Sequence, residues 1–595
     1  MKNIFYLLII SLFIVSSCED ELDKLWEDPN RYTPKPEQVI SGMFTNMQQT
    51  RFFKGDYGEW YWLLNYENSF IHQAQVVTYL PYSEDWCLWF EQFPYGDMNK
   101  YPGNPNGNHD LRFRALYDEL KNYGLIQDEL SVLSGSELDD NIIFGQLSTV
   151  IKNIVALQAV DLFNKIPFSE AYKGPQGLFF PKYDDGEEIY KTIIAEYKTI
   201  AEGLPTVHSK MSAKAKVAFE TQDIFFKGNV NKWVQFINAH RLKASIRISG
   251  VAGDLAKTHI AEAIKNLPTE DFTFVCPELN ENRIGASGGG IIQRAWYEQH
   301  YMTCVPDQMM MRMNRGDSLY NVNEDDPRLP VIVCGHAIDS TLEKVEFTGV
   351  SMNWNRNKYL RVDSIRIHGV TRPSTQMKNY VQRNAWNYYH PATFTLNELP
   401  LYLFSRAEVD LLLAEVSLKE LANTGKNAGE HINESVIHST DFWYMINACP
   451  DYCGDDLSPK VEAIIHPTKP GADVVQKYAS TIRSEFEAAS GVEDKMEILM
   501  QQKYIHLNIL QPYECFAELR RTRHPKLEPV TSGSMTKAIA MWERFKYPSS
   551  ELSTNFDNYS KVSAEDNYTS HIFWVPQNKR AETYFMPDQL KPNLP

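Results

Sequence analysis

The chain has 595 residues, of which 43% are hydrophobic and 23% charged, with a formal net charge of -17. That much apolar material can bury a large core; length alone would allow roughly two to four domains, but no Pro- or Ser-rich linker divides the chain. The acidic balance argues against nucleic acid, whose phosphates call for basic patches, and eight irregularly scattered cysteines exclude a disulfide scaffold.

The N-terminus carries an address. Lys2 gives a positive start, Ile4 to Val15 form an apolar run broken only by Ser11, and Val15-Ser16-Ser17-Cys18 follows. A charged start, an apolar stretch and small residues before a cut are the marks of a secretory signal. The run is too short for a membrane span, which needs roughly 20 apolar residues. Residues 1–17 are therefore expected to be removed and Cys18 to be lipidated as the first residue of the mature chain; several acyl chains on one cysteine anchor stably where one would not. Residues 18–35, beginning Glu19, Asp20, Glu21 and Asp23, read as an acidic, solvated tether. Residues 36–595 read as one domain.

Along that domain helical periodicity dominates, and the fold class is expected to be mainly α with a few short strands. Helices are predicted near Gln38–Gln49, Arg112–Leu133, Asn141–Phe163, Glu187–Glu202, Asn231–Ser249, Ala256–Asn266, Ser405–Leu421 and Glu493–Leu510, where apolar residues recur at spacings of three and four. Ser405 can cap its helix, with Glu408 three residues on as the capping-box partner. Between residues 271 and 400 the pattern changes: Gly288-Gly289-Gly290 and Asp325-Asp326-Pro327 mark turns, with short β-like pieces at Val331–Cys334 and Tyr359–Ile367. Residues 447–471 are a second loop-rich stretch, where Cys449 and Cys453 flank Pro-Asp-Tyr and could pair in an exported compartment or stay free. The predicted architecture is a helical scaffold with loops laid over it, and loops on a rigid frame are where binding residues concentrate.

Aromatics make up 12% of the chain. Flat apolar rings beside amide, carboxylate or guanidinium groups can hold a ligand that has both a C–H face and hydroxyls. Three clusters offer that mixture: Trp86 and Trp89 beside Glu84 and Asp85; Arg294, Trp296 and Tyr297 after the triple glycine; and Trp354 with Asn355, continued by Trp386, Tyr388 and Tyr389. Trp60, Trp62 and Trp233 read instead as core. No His-Glu-x-x-His, Gly-x-Ser-x-Gly or phosphate-loop motif occurs, and a usable carboxylate pair means nothing among 76 acidic residues. No cofactor or metal site is expected. The stretch Asn104 to Asp110 has oxygen ligands that could hold calcium, but it lacks the EF-hand pattern and reads as an Asx-rich turn.

Several segments resemble the SusD/RagB family. Asp161 to Ala171 (Asp-Leu-Phe-Asn-Lys-Ile-Pro-Phe-Ser-Glu-Ala) is similar to a family segment in which an Asp, an aromatic and a Gly precede Ile-Pro-Tyr-x-Glu-Ala; Asn164 replaces the Gly and Phe168 the Tyr. Tyr183–Tyr190, Trp233–Ser249, Leu399–Leu418, Ile505–Arg523 and Phe545–Asn555 resemble further family segments in the same order. The resemblance implies four tetratricopeptide-like helix pairs decorated by loop-rich insertions. It also implies a glycan-binding lipoprotein at the cell outer membrane, anchored by lipid and facing the exterior, without enzymatic activity. The implied partner is a SusC-like TonB-dependent β-barrel transporter that receives the captured sugar. Two other readings stay open: a lid of the same kind that handles peptides or glycopeptides, and, from a different class, a surface glycan hydrolase.

Overall fold

The computed structural model describes residues 36–54, 74–76, 78–79, 109–274, 303–315, 319–333, 335–337, 345–347, 349, 389–390, 393, 400–447, 466–529 and 542–586. The frame is built of helices α1 (Pro36–Gln48), α2 (His109–Asp118), α3 (Lys121–Val132), α4 (Gly135–Phe163), α5 (Gly186–Lys210), α6 (Ala213–Gln222), α7 (Val230–Ile248), α8 (Gly253–Ala263), α9 (Arg406–Leu418), α10 (Ala428–Asn447), α11 (Ala472–Ala488), α12 (Val492–Leu507) and α13 (Pro512–Thr522). Successive helices pack in sequence. In the first half α3 lies on α4, α4 on α5, α5 on α7 and α7 on α8; in the second α9 lies on α10, α10 on α11, α11 on α12 and α12 on α13. The contact of α7 with α9 joins the halves. Each helix buries its apolar face on its neighbours, as in the tetratricopeptide-like arrangement expected.

Helix α4 is the central strut. Its 29 residues are long and apolar enough to cross a membrane, yet most of its apolar stretch is buried inside the protein. Ile143, Leu147, Val150, Ile151, Ile154 and Val155 all lie in the main core. A helix that is hydrophobic on every side belongs in an interior. It ends on Asn164, whose φ of 68° uses the tolerance of Asn for positive φ at the position where the family pattern has Gly. There α5 begins hard against the turn. A Cβ on Gly186 would sit 2.2 Å from the Asn164 carbonyl oxygen, so no larger residue fits. Asp185 caps α5 by accepting from the Glu187 N–H at 3.0 Å.

The Ser405 cap forms as predicted, with its hydroxyl accepting from Glu408 N–H at 3.0 Å. The return half of the box does not form. The Glu408 carboxylate takes the Tyr402 hydroxyl and, at 2.7 Å, the Lys243 amine, while the Ser405 N–H donates to Tyr402 Oη. A second core lies among α9 to α12, where Leu411, Ile432, Val436, Ile482, Phe486 and Leu499 meet.

Three expectations change. The predicted helix over Arg112–Leu133 is two, α2 and α3, broken at Glu119 and Leu120. The predicted β piece at 331–334 is instead the end of a helical turn, Leu329–Ile332, followed by an isolated bridge from Val333 to Tyr389. Val331, Ile332 and Val333 are all buried, and a short run that is apolar throughout does not distinguish strand from helix. Helices α6, α10 and α11 were not foreseen. The described strands form two-stranded antiparallel pairs, among them Phe272–Phe274 with Leu401–Phe404, which ties the end of the first half to the start of the second. The piece predicted at Tyr359–Ile367 lies outside the described residues.

Candidate functional site

Of the residues singled out in the sequence, Cys18, Trp86, Trp89, Arg294, Trp296, Tyr297, Trp354, Asn355, Trp386 and Tyr388 lie outside the described residues. Tyr389 is described, and it corrects the expectation. The ring is 2% exposed and its hydroxyl donates to the Val76 carbonyl at 2.5 Å. Burial takes it out of reach of a ligand and holds its pKa well above the ordinary phenol value. Trp233 is wholly buried, as expected, with its indole N–H on Asp223 at 2.8 Å.

The Asp161–Ala171 segment opens onto two features. On one side lies a buried charge network. Asp161 accepts from the Tyr190 hydroxyl at 2.5 Å, Arg247 Nη1 at 2.6 Å and the Trp574 indole N–H at 2.7 Å. Arg247 also meets Glu514 and Glu518; Lys243 and Lys503 join Glu514; Arg521 bridges Glu518 and Glu415. Burial alone would raise these carboxyls. Arg247, then Lys243 and Lys503, hold Glu514 well below the usual range; Arg521, then Lys419, hold Glu415 at about 2. Asp161 differs: burial outweighs Arg247 and raises its pKa. The small cavity of about 90 Å³ beside the network has room for a few waters at most. This is a structural junction of α4, α7, α9, α12 and α13. His240 also lines this cavity, its Nε2 buried without a hydrogen-bond partner and its pKa held well below the ordinary imidazole range by burial.

On the other side is a cleft of about 560 Å³ between α3, α4 and the start of α5. That is the size of a small-molecule site. Tyr123, Phe168 and Tyr172 supply aromatic faces, and Gln127, Asp128, Lys152, Gln176, Asp184, Glu188 and Glu196 supply polar groups. Most of the acids already have partners: Asp128 takes Gln176 Nε2 at 2.6 Å, Asp184 takes the Ser169 N–H at 2.7 Å, and Glu196 takes Asn153 Nδ2 at 2.7 Å. Lys152, on α4, is 6% exposed and has its amine 4.3 Å from the Phe168 ring centre and 4.8 Å from that of Tyr123. Burial lowers its pKa to about 8, against the attraction of Glu196. Rings beside polar groups are what a sugar needs, and these ones were missed in the sequence. The signal was present in two forms: a lysine in the middle of a largely apolar helix, and Phe168 inside the family-like segment.

Comparison with known proteins follows the same line. A model of a SusD-like family described as "Starch-binding associating with outer membrane" matches residues 71–548. No curated protein sequence matches the chain. Among solved structures, a chitin-binding protein superposes with a TM-score of 0.61 at 19% identity, covering 90% of this chain and 99% of its own. A chitin-binding SusD homologue from Flavobacterium johnsoniae gives 0.60 at 18% identity over 92% of this chain and 100% of its own. A SusD homologue from Bacteroides fragilis gives 0.61 at 16% identity over 91% and 99%. At these identities the likeness is one of fold. With a family model matched over most of its length, the chain belongs to the SusD-like family of starch-binding, outer-membrane-associated proteins.

Proposed function

We propose that this protein is a surface glycan-binding lipoprotein, held in the outer membrane by lipid on Cys18, that captures oligosaccharides or polysaccharides and passes them to a SusC-like TonB-dependent transporter. The observation that carries the reading is the family match over residues 71–548, whose description joins starch binding to the outer membrane. The chitin-binding names of two structural relatives favour carbohydrate over peptide. The work is then stacking and hydrogen bonding, followed by release. No cofactor enters this reading.

A panel of starch-type and chitin-type oligosaccharides, offered with unrelated peptides, tests it. At least one glycan is expected to bind and to be recovered intact. Reproducible release of reducing ends, absent from a mock purification, would make the protein a hydrolase; binding of peptides alone would make it a lid for another cargo.

A further inference from the structure

We propose that Asp410, His431 and Glu434 form a binding site for a zinc-like divalent transition-metal ion, clamping α9 to α10. A ring nitrogen of His431 and one carboxylate oxygen from each acid lie within 4.8 Å of one another. His431 and Glu434 stand three residues apart on α10, so they share a face of that helix, and Asp410 reaches them from α9.

The hydrogen-bond inventory around His431 points to a ligand. Its side chain is buried, with the residue 3% exposed. The Thr424 hydroxyl spends its proton on the Lys426 carbonyl at 2.8 Å. Thr424 Oγ1 therefore accepts from His431, whose Nε2 lies 2.9 Å away. The proton of the neutral ring is then on Nε2, and Nδ1 carries a bare lone pair. That Nδ1 is buried and has no hydrogen-bond partner. Nδ1 is a buried acceptor with nothing to accept from, on a ring that lies beside two carboxylates, and a cation there resolves the conflict. The Nε2–H on Thr424 then acts as the outer contact that fixes a ligating histidine's tautomer and orientation. His438 does the same for the acid, with Nδ1 2.5 Å from Asp410 Oδ2.

The donor set decides the ion. One imidazole with two carboxylates suits zinc and its neighbours, whereas calcium takes six to eight oxygens. Tetrahedral zinc places its donors ~3.3 Å apart, given bonds of about 2.0 Å. Closing from 4.8 Å asks Glu434 to leave Lys426, a half-exposed ion pair of little worth. Three protein donors leave the fourth position to water.

The test uses the full-length protein in detergent, stripped with a chelator and titrated with Zn2+ by calorimetry, with melting followed in parallel. The wild type is expected to show a component of one Zn2+ per chain and a raised melting temperature, with no such rise for Ca2+. His431→Gln and Glu434→Gln should each weaken that component at least tenfold and abolish the rise. Glu434 is partly exposed, so E434Q keeps the test decisive should H431Q fail to fold. A wild type without that component, or an E434Q protein that binds and melts as the wild type does, overturns the proposal.

Discussion

Lys152 shows how one side chain can set a measurable pH dependence. Its folded pKa of about 8 lies below its ordinary value because burial disfavours the charge. Between these two pH values the unfolded chain holds more protons than the folded one, so stability rises with pH through that window. Below pH 8 the buried ammonium costs roughly 3 kcal/mol at most, part of which its two ring contacts return. Lys152→Met keeps the length and removes the charge. It is expected to melt above the wild type at pH 7, with the gap closing towards pH 10.5. A gap that stays constant with pH would mean that Lys152 is not desolvated as the structure has it. Asp161 too has its charge disfavoured by burial, which raises its pKa, but it has a counter-charge at hand. It accepts from three side chains, and Asp161→Asn should cost about 3–5 kcal/mol in urea unfolding, because Arg247 is left buried without one of its counter-charges. Both residues are charges on the largely apolar α4, and neither role was read in advance: Asp161 was noted only as the start of the family-like segment. The partners of Asp161 could not be read, since Arg247 is 86 residues away and Trp574 is 413 away, and periodicity says nothing about which distant charges meet.

At the scale of the element, what was readable was what is local. Ser405 caps α9 as its spacing predicts, and Asn164 turns the end of α4 with positive φ. The return bond from Glu408 fails for a non-local reason: Tyr402 and Lys243 offer that carboxylate better partners than a backbone N–H. Ser405 itself does more than cap, because its hydroxyl lies 2.6 Å from His506 Nε2 on α12. Burial pushes the His506 ring down to about 3, so the ring stays neutral at ordinary pH. Ser405→Ala therefore removes a cap and strands a buried ring nitrogen. Its expected cost is about 2–3 kcal/mol, the sum of an ordinary cap and one unsatisfied buried group, measured by denaturant unfolding. Ser405→Thr, which keeps the hydroxyl, should recover most of it. A loss below about 0.5 kcal/mol for the alanine would show that neither bond forms. Helices α10 and α11 escaped the sequence reading although they carry the second core, and the three-residue spacing of His431 and Glu434 on α10 went unread with them.

For the whole molecule the question is where aromatic rings are used. The scaffold spends its own on packing. Trp233 lies among Phe225, Phe226 and Phe236 at centroid distances of 5.9, 5.1 and 5.9 Å, with its N–H satisfied by Asp223. Tyr389 turned out to belong to the same class, which shows the limit of composition as a guide: an aromatic in an Asn-rich stretch can still be core. Trp296, Trp354 and Trp386 are the sharper candidates, because each stands in sequence beside amide or guanidinium donors. By analogy with base–aromatic stacking, one lost sugar platform should weaken binding by roughly 1–3 kcal/mol, about ten- to over a hundredfold in affinity. The predicted outcome is a division of effects. Alanine at one or more of these three positions lowers glycan affinity by that factor and leaves the melting temperature nearly unchanged. Trp233→Ala does the reverse, costing ~3–5 kcal/mol of stability as a core ring does, with binding intact in whatever fraction remains folded. Paired titrations and melting curves on the four variants decide it. Normal binding by all three would move the site elsewhere, with the Tyr123–Phe168–Tyr172 cleft next to be probed, and unfolding by all three would place them with Tyr389 in the core.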